Sequence, residues 1–194
     1  MWIRDSPYSN HAEAMNKVQA FFVEETRLGI PADLTNEGIR GLKHEKSTFF
    51  PAQIGQGCTW DKELIREIGR ITGEEAKALG YTNVYSPILD VARDPRWGRT
   101  VESYGEAPYL VGELGRQQVL GIQDNRVVST PKHFAIYGVP AGGRDCESRT
   151  DPHATPQEVH ELHLEPFRIA FQEAGALGTM CAHNDYNGTP VSAS

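Results

Sequence analysis

The chain has 194 residues, 39% of them hydrophobic and 23% charged, with a formal net charge of −7 at neutral pH. That length and balance describe a folded domain with one core and exclude a disordered chain. The acidic excess argues against a nucleic-acid partner, whose recognition needs a basic face. No apolar run reaches bilayer length, and the first residues lack a signal-peptide pattern, so no membrane partner is expected.

In chain order, residues 10–28 predict an amphipathic helix with Ala14, Val18, Phe21, Phe22 and Leu28 at helical spacing and Gly29 as terminator. A short strand then runs into a loop through Asn36 and Glu37. Residues 61–79 predict a second helix with Leu64, Ile65, Ile68, Ile71, Ala76 and Leu79 inward. The strand 83–91 follows and breaks at Asp94-Pro95 into a loop carrying Arg93, Arg96, Trp97, Arg99, Glu102 and Glu106. A third helix is expected over 108–122, opened by Pro108 at its first turn. Val127–Ser129 reads as a short strand ending at Pro131-Lys132-His133-Phe134. Thr155-Pro-Gln-Glu158 is a capping box that opens a long helix to about residue 174. A last strand over 176–182 and a turn over 184–188 close the pattern.

Helix and strand alternate, which calls for a mostly parallel sheet with helices outside it. The expected fold class is α/β: a partial TIM-type barrel of about four strand–helix units, forming one incomplete domain over 1–194. A full eight-fold barrel takes roughly 250 residues. Polar loops follow the strand ends at 36–46, 92–107, 132–147 and 183–189, and in such folds that edge carries the site.

Cys58, Cys146 and Cys181 are far apart and show no CxxC spacing, which indicates neither a metal knuckle nor a disulfide framework. His153, His160 and His163 are read as surface histidines, because His-Glu-Leu-His lacks the HExxH spacing of a metal helix. No metal or cofactor is implied.

Four ordered blocks carry a resemblance. They are Arg93-Asp-Pro-Arg-Trp-Gly-Arg-Thr-Val-Glu-Ser-Tyr-Gly-Glu106, Lys132-His133-Phe134, Met180-Cys-Ala-His-Asn184 and Asn187-Gly-Thr-Pro190. Together they resemble the N-terminal barrel domain of glycoside hydrolase family 3, which contains β-glucosidases and β-xylosidases. Leu28-Gly-Ile-Pro31 with Asn36-Glu-Gly and Gly41 fits the early sugar-binding loop of that family.

The resemblance implies an exo-acting retaining β-glycosidase whose substrate is a β-linked glucoside or xyloside. It assigns Glu37 to sugar hydroxyls and places Arg99, Lys132 and His133 around the non-reducing sugar in subsite −1. Arg144 and His183 fall near further substrate-binding positions. Trp97 is expected to wedge the loop, and Glu102 and Glu106 to pair its arginines. Charged side chains suit this task, since they make the stronger hydrogen bonds to a hydroxyl-rich ring.

Two departures stand out. The family loop usually reads Gly-Glu-Asp-Pro, whereas this chain has Gly105-Glu-Ala107-Pro, which removes a helix-capping carboxylate. The catalytic carboxylate pair that a retaining enzyme needs is expected beyond Ser194, leaving no catalytic residue within the chain. Asp185, Asp145 and Glu147 read as turn and salt-bridging carboxylates, not as replacements. The alternative from another class is a non-catalytic sugar-binding or self-assembling barrel fragment, with a homo-oligomer completing the barrel across its open edge.

Overall fold

A computed structural model describes residues 8–138 and 150–194. Arg144, Asp145, Cys146 and Glu147 lie outside the described residues. Strand β1 (Thr35–Asn36) pairs in parallel with β2 (Asn83–Val84), with Thr35 opposite Asn83. β2 pairs in parallel with β3 (Val128–Ser129), with Asn83 opposite Val128. The β2 run continues to a parallel bridge between Ile88 and Lys132, the first residue of β4 (Lys132–Phe134). β4 in turn pairs in parallel with β5 (Met180–Cys181). β3 and β4 follow each other on one run and both pair with the β2 run, while helices connect β1 to β2, β2 to β3 and β4 to β5, as α/β chain logic requires.

Lys132 and His133 lie in this sheet and not in the loop expected after Ser129. The ladder carries them there, because the Lys132 N–H donates to Pro87 O at 3.0 Å and Leu89 N–H donates to Lys132 O at 2.7 Å. The Lys132–His133 and Phe134–Ala135 peptides are both cis.

The first helix, α1 (His11–Ala20), buries His11 and Met15 and passes into a π-helical turn over Phe21–Glu25. Phe21, Phe22 and Leu28, all expected on the apolar face, are exposed. A wider π turn rotates Phe21 and Phe22 off the His11–Met15 stripe, and periodicity counted at 3.6 cannot see that; Leu28 lies past the end of that turn. A short helix, α2, spans Gln53–Gly57.

The best-packed pair of helices is α3 (Lys62–Ala78) and α4 (Pro108–Gln123). Asp61 caps α3 by accepting the Leu64 N–H at 2.9 Å. Its buried face is Ile65, Ile68, Gly69, Thr72, Gly73 and Ala76, and Leu64 is exposed, contrary to expectation. Small residues occupy the contact where larger apolar ones were sought. A Cβ on Gly69 would stand 2.6 Å from Gln118 O, and one on Gly121 would stand 2.4 Å from Arg66 O. The two backbones touch through hydrogen atoms alone. Under them, Leu89 and Val91 from the β2 run meet Val111, Leu114, Val119 and Phe167 in the main core.

The long helix expected after Thr155 is broken. The capping box forms at α5 (Pro156–Glu158), then come a π turn over Val159–His163, α6 (Glu165–Arg168) and a second π turn over Ile169–Glu173. Pro166 is the cause, since it has no N–H to give to the turn before it and its ring crowds that turn. The expected last strand narrows to β5, because Ala176 still donates to Ala170 O of the preceding helix at 3.0 Å. The 184–188 turn is a hairpin of β6 (Asp185–Tyr186) and β7 (Thr189–Pro190). Its loop residues Asn187 and Gly188 have φ of 50° and 80°, the left-handed pair that a tight two-residue hairpin needs. Cys58 and Cys181 are free thiols.

Candidate functional site

Residues from three strand ends converge. After β1, Asn36 Oδ1 accepts the Glu37 and Lys43 N–H groups, both at 2.8 Å, and curls the loop so that Glu37 projects from the sheet edge. Gly38 has φ +72° and lies on β2, where an added Cβ would sit 1.9 Å from Val84 Cγ1. Only glycine permits that turn and that approach together. After β2, Ser103 Oγ ties the arginine loop back by donating to Asp90 O at 2.6 Å. A 3₁₀ turn over Thr100–Glu102 brings Arg99 and Glu102, three residues apart, onto one face.

The side chains form two charged groups. Lys132, buried in β4, donates from Nζ to Glu37 Oε2 at 2.6 Å. Arg99 forks onto Glu102 with Nε–Oε1 at 3.0 Å and Nη2–Oε2 at 2.7 Å, a bidentate pair of the stronger kind. Arg99 Nη1 also lies 2.8 Å from His133 Nε2, and His133 Nδ1 lies 2.7 Å from Asp90 Oδ2. The Tyr137 ring packs against His133 at 4.7 Å between centroids.

Electrostatics follow from burial and pairing. Burial pushes the Lys132 ammonium below its ordinary value, and the Glu37 carboxylate opposes that without cancelling it. For Arg99, burial disfavours the cation, but the Glu102 hydrogen bonds and charge, with Asp90 nearby, hold it above its ordinary value. Arg99 therefore stays a fixed cation while Lys132 is a costly one.

Glu37, Arg99 and Glu102 line one open cleft of about 940 Å³, together with Arg40, His44 and Phe49 among others. That is within the range of roughly 300–1,000 Å³ usual for small-molecule sites. Lys132 and His133 lie beneath it and reach it through Glu37 and Arg99. His183, just past β5, is exposed and makes no hydrogen bond or ion pair with a described residue, and it is not in the cleft wall. Glu106 is exposed and pairs no described arginine, so of the two expected partners only Glu102 serves. Trp97 is buried and packs edge-on against Tyr137 at 5.9 Å, in the wedge position expected of it. Among the described residues no group of histidines, cysteines and carboxylates is placed to hold a metal ion.

Residues 6–194 match the pattern of the Glycosyl hydrolase family 3 N terminal domain. The chain belongs to glycosyl hydrolase family 3. A β-xylosidase of Formosa agariphila is 38% identical to this family 3 chain, the match covering 84% of this chain and 24% of that protein. A β-glucosidase of Erythrobacter marinus superposes with a TM-score of 0.89 at 33% identity, covering 96% of this chain and 25% of that one. A Listeria innocua β-glucosidase mutant, solved with laminaribiose, gives a TM-score of 0.82 at 34% identity over 92% of this chain and 25% of that one. The chain thus spans about a quarter of the length of these family 3 relatives.

Asp90 is the site residue that sequence reasoning missed. The available signal was a lone carboxylate among Ile88, Leu89 and Val91, a charge that a buried strand tolerates only with a partner.

Proposed function

We propose that this chain is the sugar-gripping part of an exo-acting retaining β-glycosidase, and that it holds the non-reducing glucose or xylose unit in subsite −1. Glu37 and Arg99 face the sugar from the cleft wall, Lys132 and His133 stand beneath them, and Arg144 and His183 are further sugar-binding positions on the family resemblance alone. The observation that carries this reading is that Glu37 and Arg99, 62 positions apart in sequence numbering, line one cleft, with Glu37 held by the buried Lys132. A carboxylate and a guanidinium side by side can accept from and donate to vicinal hydroxyls. The named activities of the relatives, β-xylosidase and β-glucosidase, agree with such a ligand.

The nucleophile and the acid/base are placed outside 1–194. The three carboxylates that meet Lys132, Arg99 and His133 are already committed: Glu37 to Lys132, Glu102 to Arg99, and Asp90 to His133. A retaining enzyme needs two carboxyl groups about 5–5.5 Å apart flanking the scissile bond, and committed ion pairs do not supply them. The domain is read as about four strand–helix units of a partial TIM-type barrel.

Titrating the labelled chain with glucose and xylose by NMR tests this. Saturable shifts at Glu37 and Arg99 are expected, weakened at least about tenfold in Arg99→Ala, the loss of one charged hydrogen bond. Aryl β-glucosides and β-xylosides should not turn over. Absence of saturable binding overturns the grip, and turnover that survives Asp185→Ala and Glu147→Ala overturns the placement of the catalytic pair.

A further inference from the structure

Asp90 lies two residues past the Ile88–Lys132 bridge, between the core residues Leu89 and Val91, with its side chain 1% exposed. One oxygen, Oδ1, has no hydrogen-bond partner among the described residues. The other, Oδ2, is used twice by one residue: it accepts the His133 backbone N–H at 3.2 Å and faces His133 Nδ1 at 2.7 Å. A leucine would serve the core better at this place, since a buried carboxylate with half its hydrogen bonds missing is a net cost. The charge calls for a reason beyond packing.

The ring's other nitrogen supplies it. His133 Nε2 lies 2.8 Å from Arg99 Nη1. A guanidinium has donors and no acceptor, so at that distance Nε2 must be the acceptor and carry the lone pair. The ring proton is then on Nδ1, where the Asp90 carboxylate receives it. The opposite tautomer would set N–H against N–H at Arg99 and lone pair against carboxylate at Asp90. A doubly protonated ring would satisfy Asp90 but confront the Arg99 cation. One arrangement satisfies both ends.

We propose that Asp90 is a positioning residue: it fixes His133 as the Nδ1–H tautomer, so that Nε2 holds the Arg99 guanidinium in the orientation it presents to the cleft. Glu102 grips two nitrogens of the fork and His133 the third, so Arg99 is clamped from two elements at once. His133 itself is buried, and its Nε2 is engaged by Arg99. The tautomer stands independently of what the cleft binds; the consequence for a sugar rests on the reading above.

Long-range ¹H–¹⁵N correlation of the imidazole nitrogens in the 194-residue chain tests the proposal. The expected result is a protonated Nδ1 and an unprotonated, hydrogen-bonded Nε2 for His133. Asp90→Ala should shift the ring to the Nε2–H form or a mixture and broaden the Arg99 side-chain Nε–H signal. Asp90→Asn should restore the Nδ1–H form, because the His133 backbone N–H turns the amide oxygen toward the ring. A wild-type ring protonated on Nε2 overturns the proposal whether or not the variants fold. So does an unchanged tautomer in Asp90→Ala. A buttress to the core alone would leave that signature unmoved.

For sugar, Asp90→Ala should weaken glucose binding on the order of tenfold and add nothing in an Arg99→Ala background. Fully additive losses would show that Asp90 does not act through Arg99. If glucose does not bind while the tautomer is as described, the sugar reading falls and the positioning of Arg99 by Asp90 stands.

Discussion

The α3–α4 contact and the charged edge above β4 solve opposite problems a short distance apart in one sheet-and-helix frame. At the helix pair, Gly69, Gly73 and Gly121 remove side chains so that backbones meet, and the Lys62–Glu113 and Arg66–Asp124 pairs run alongside that contact. At the edge, Lys132, Asp90 and His133 are all buried and Arg99 is largely so, and hydrogen bonds to one another and to Glu37 and Glu102 keep them there. The first region gains from close packing, which forfeits its attraction with every fraction of an ångström lost. The second gains little net stability, since desolvating ions offsets most of their attraction. What the frame accumulates in one place it can spend holding charges in the other, which is how a ligand site is usually sustained.

The sharpest break in that comparison is Gly121→Val. Its Cβ would lie 2.4 Å from Arg66 O and 2.6 Å from Arg70 N, and backbone on α3 cannot step aside as a flexible side chain would. Overpacking of this kind costs about 3 kcal/mol or more, a large share of a domain's total stability. Urea denaturation followed by far-UV circular dichroism should show a much lower midpoint or no folded baseline. A midpoint within 0.5 M of wild type, at a slope of about 1–3 kcal/mol/M for urea, would mean that the helices do not depend on this approach.

At the charged edge the two members of one ion pair should behave unequally. Glu37 is about half exposed and Lys132 is not. Lys132→Met leaves a carboxylate that water can reach, whereas Glu37→Leu strands a buried ammonium, so Glu37→Leu should be the more destabilising at pH 7. The pH dependence gives a second handle. Because the folded-state value for Lys132 is lowered, the unfolded chain binds the extra proton between that value and the ordinary 10.5. Stability therefore rises with pH across this window and falls as pH drops back through it. Wild type should gain on Lys132→Met as pH climbs toward 10.5, and parallel stability curves would show that burial does not burden this lysine.

How much of this was legible depends on how far apart the deciding residues lie. The Thr155–Glu158 capping box reads directly, because both partners lie within one turn and both bonds form. Glu37, Arg99, Lys132 and His133 were reachable through motif order. Asp90 was not, since its partner is 43 positions away and only strand pairing brings them opposite. Glu102 and Glu106 looked equivalent as acidic neighbours of arginines. The 3₁₀ turn that faces Glu102 toward Arg99, and leaves Glu106 beyond Gly105, is a backbone choice. The exposed Phe21 and Phe22 were misjudged for the same kind of reason: a π turn set by the rest of the fold changes the period on which the inference relied.

The smallest expected effect tests whether the two regions are as separable as they look. Ala107 occupies the N-cap of α4 with φ −97° and ψ 116°, the extended geometry of a capping residue, yet it has no side-chain hydrogen bond to give. In Ala107→Asp the new carboxylate can accept the N–H of Tyr109 or Leu110 and sits at the positive end of the helix. The gain should be about 1 kcal/mol, within the usual 0.5–2 for such caps, read as a higher urea midpoint at pH 7. It should disappear in acid once the carboxyl is protonated, because the cap lowers that group's folded-state value and the stability it brings is lost as pH falls through it. Since Ala107 is exposed and outside the cleft wall, sugar titration should be unchanged. A tighter or weaker grip in this variant would mean that the α4 N-terminus and the Arg99 loop share one equilibrium, and the division between a packing frame and a charged edge would then have to be redrawn through residues 99–108.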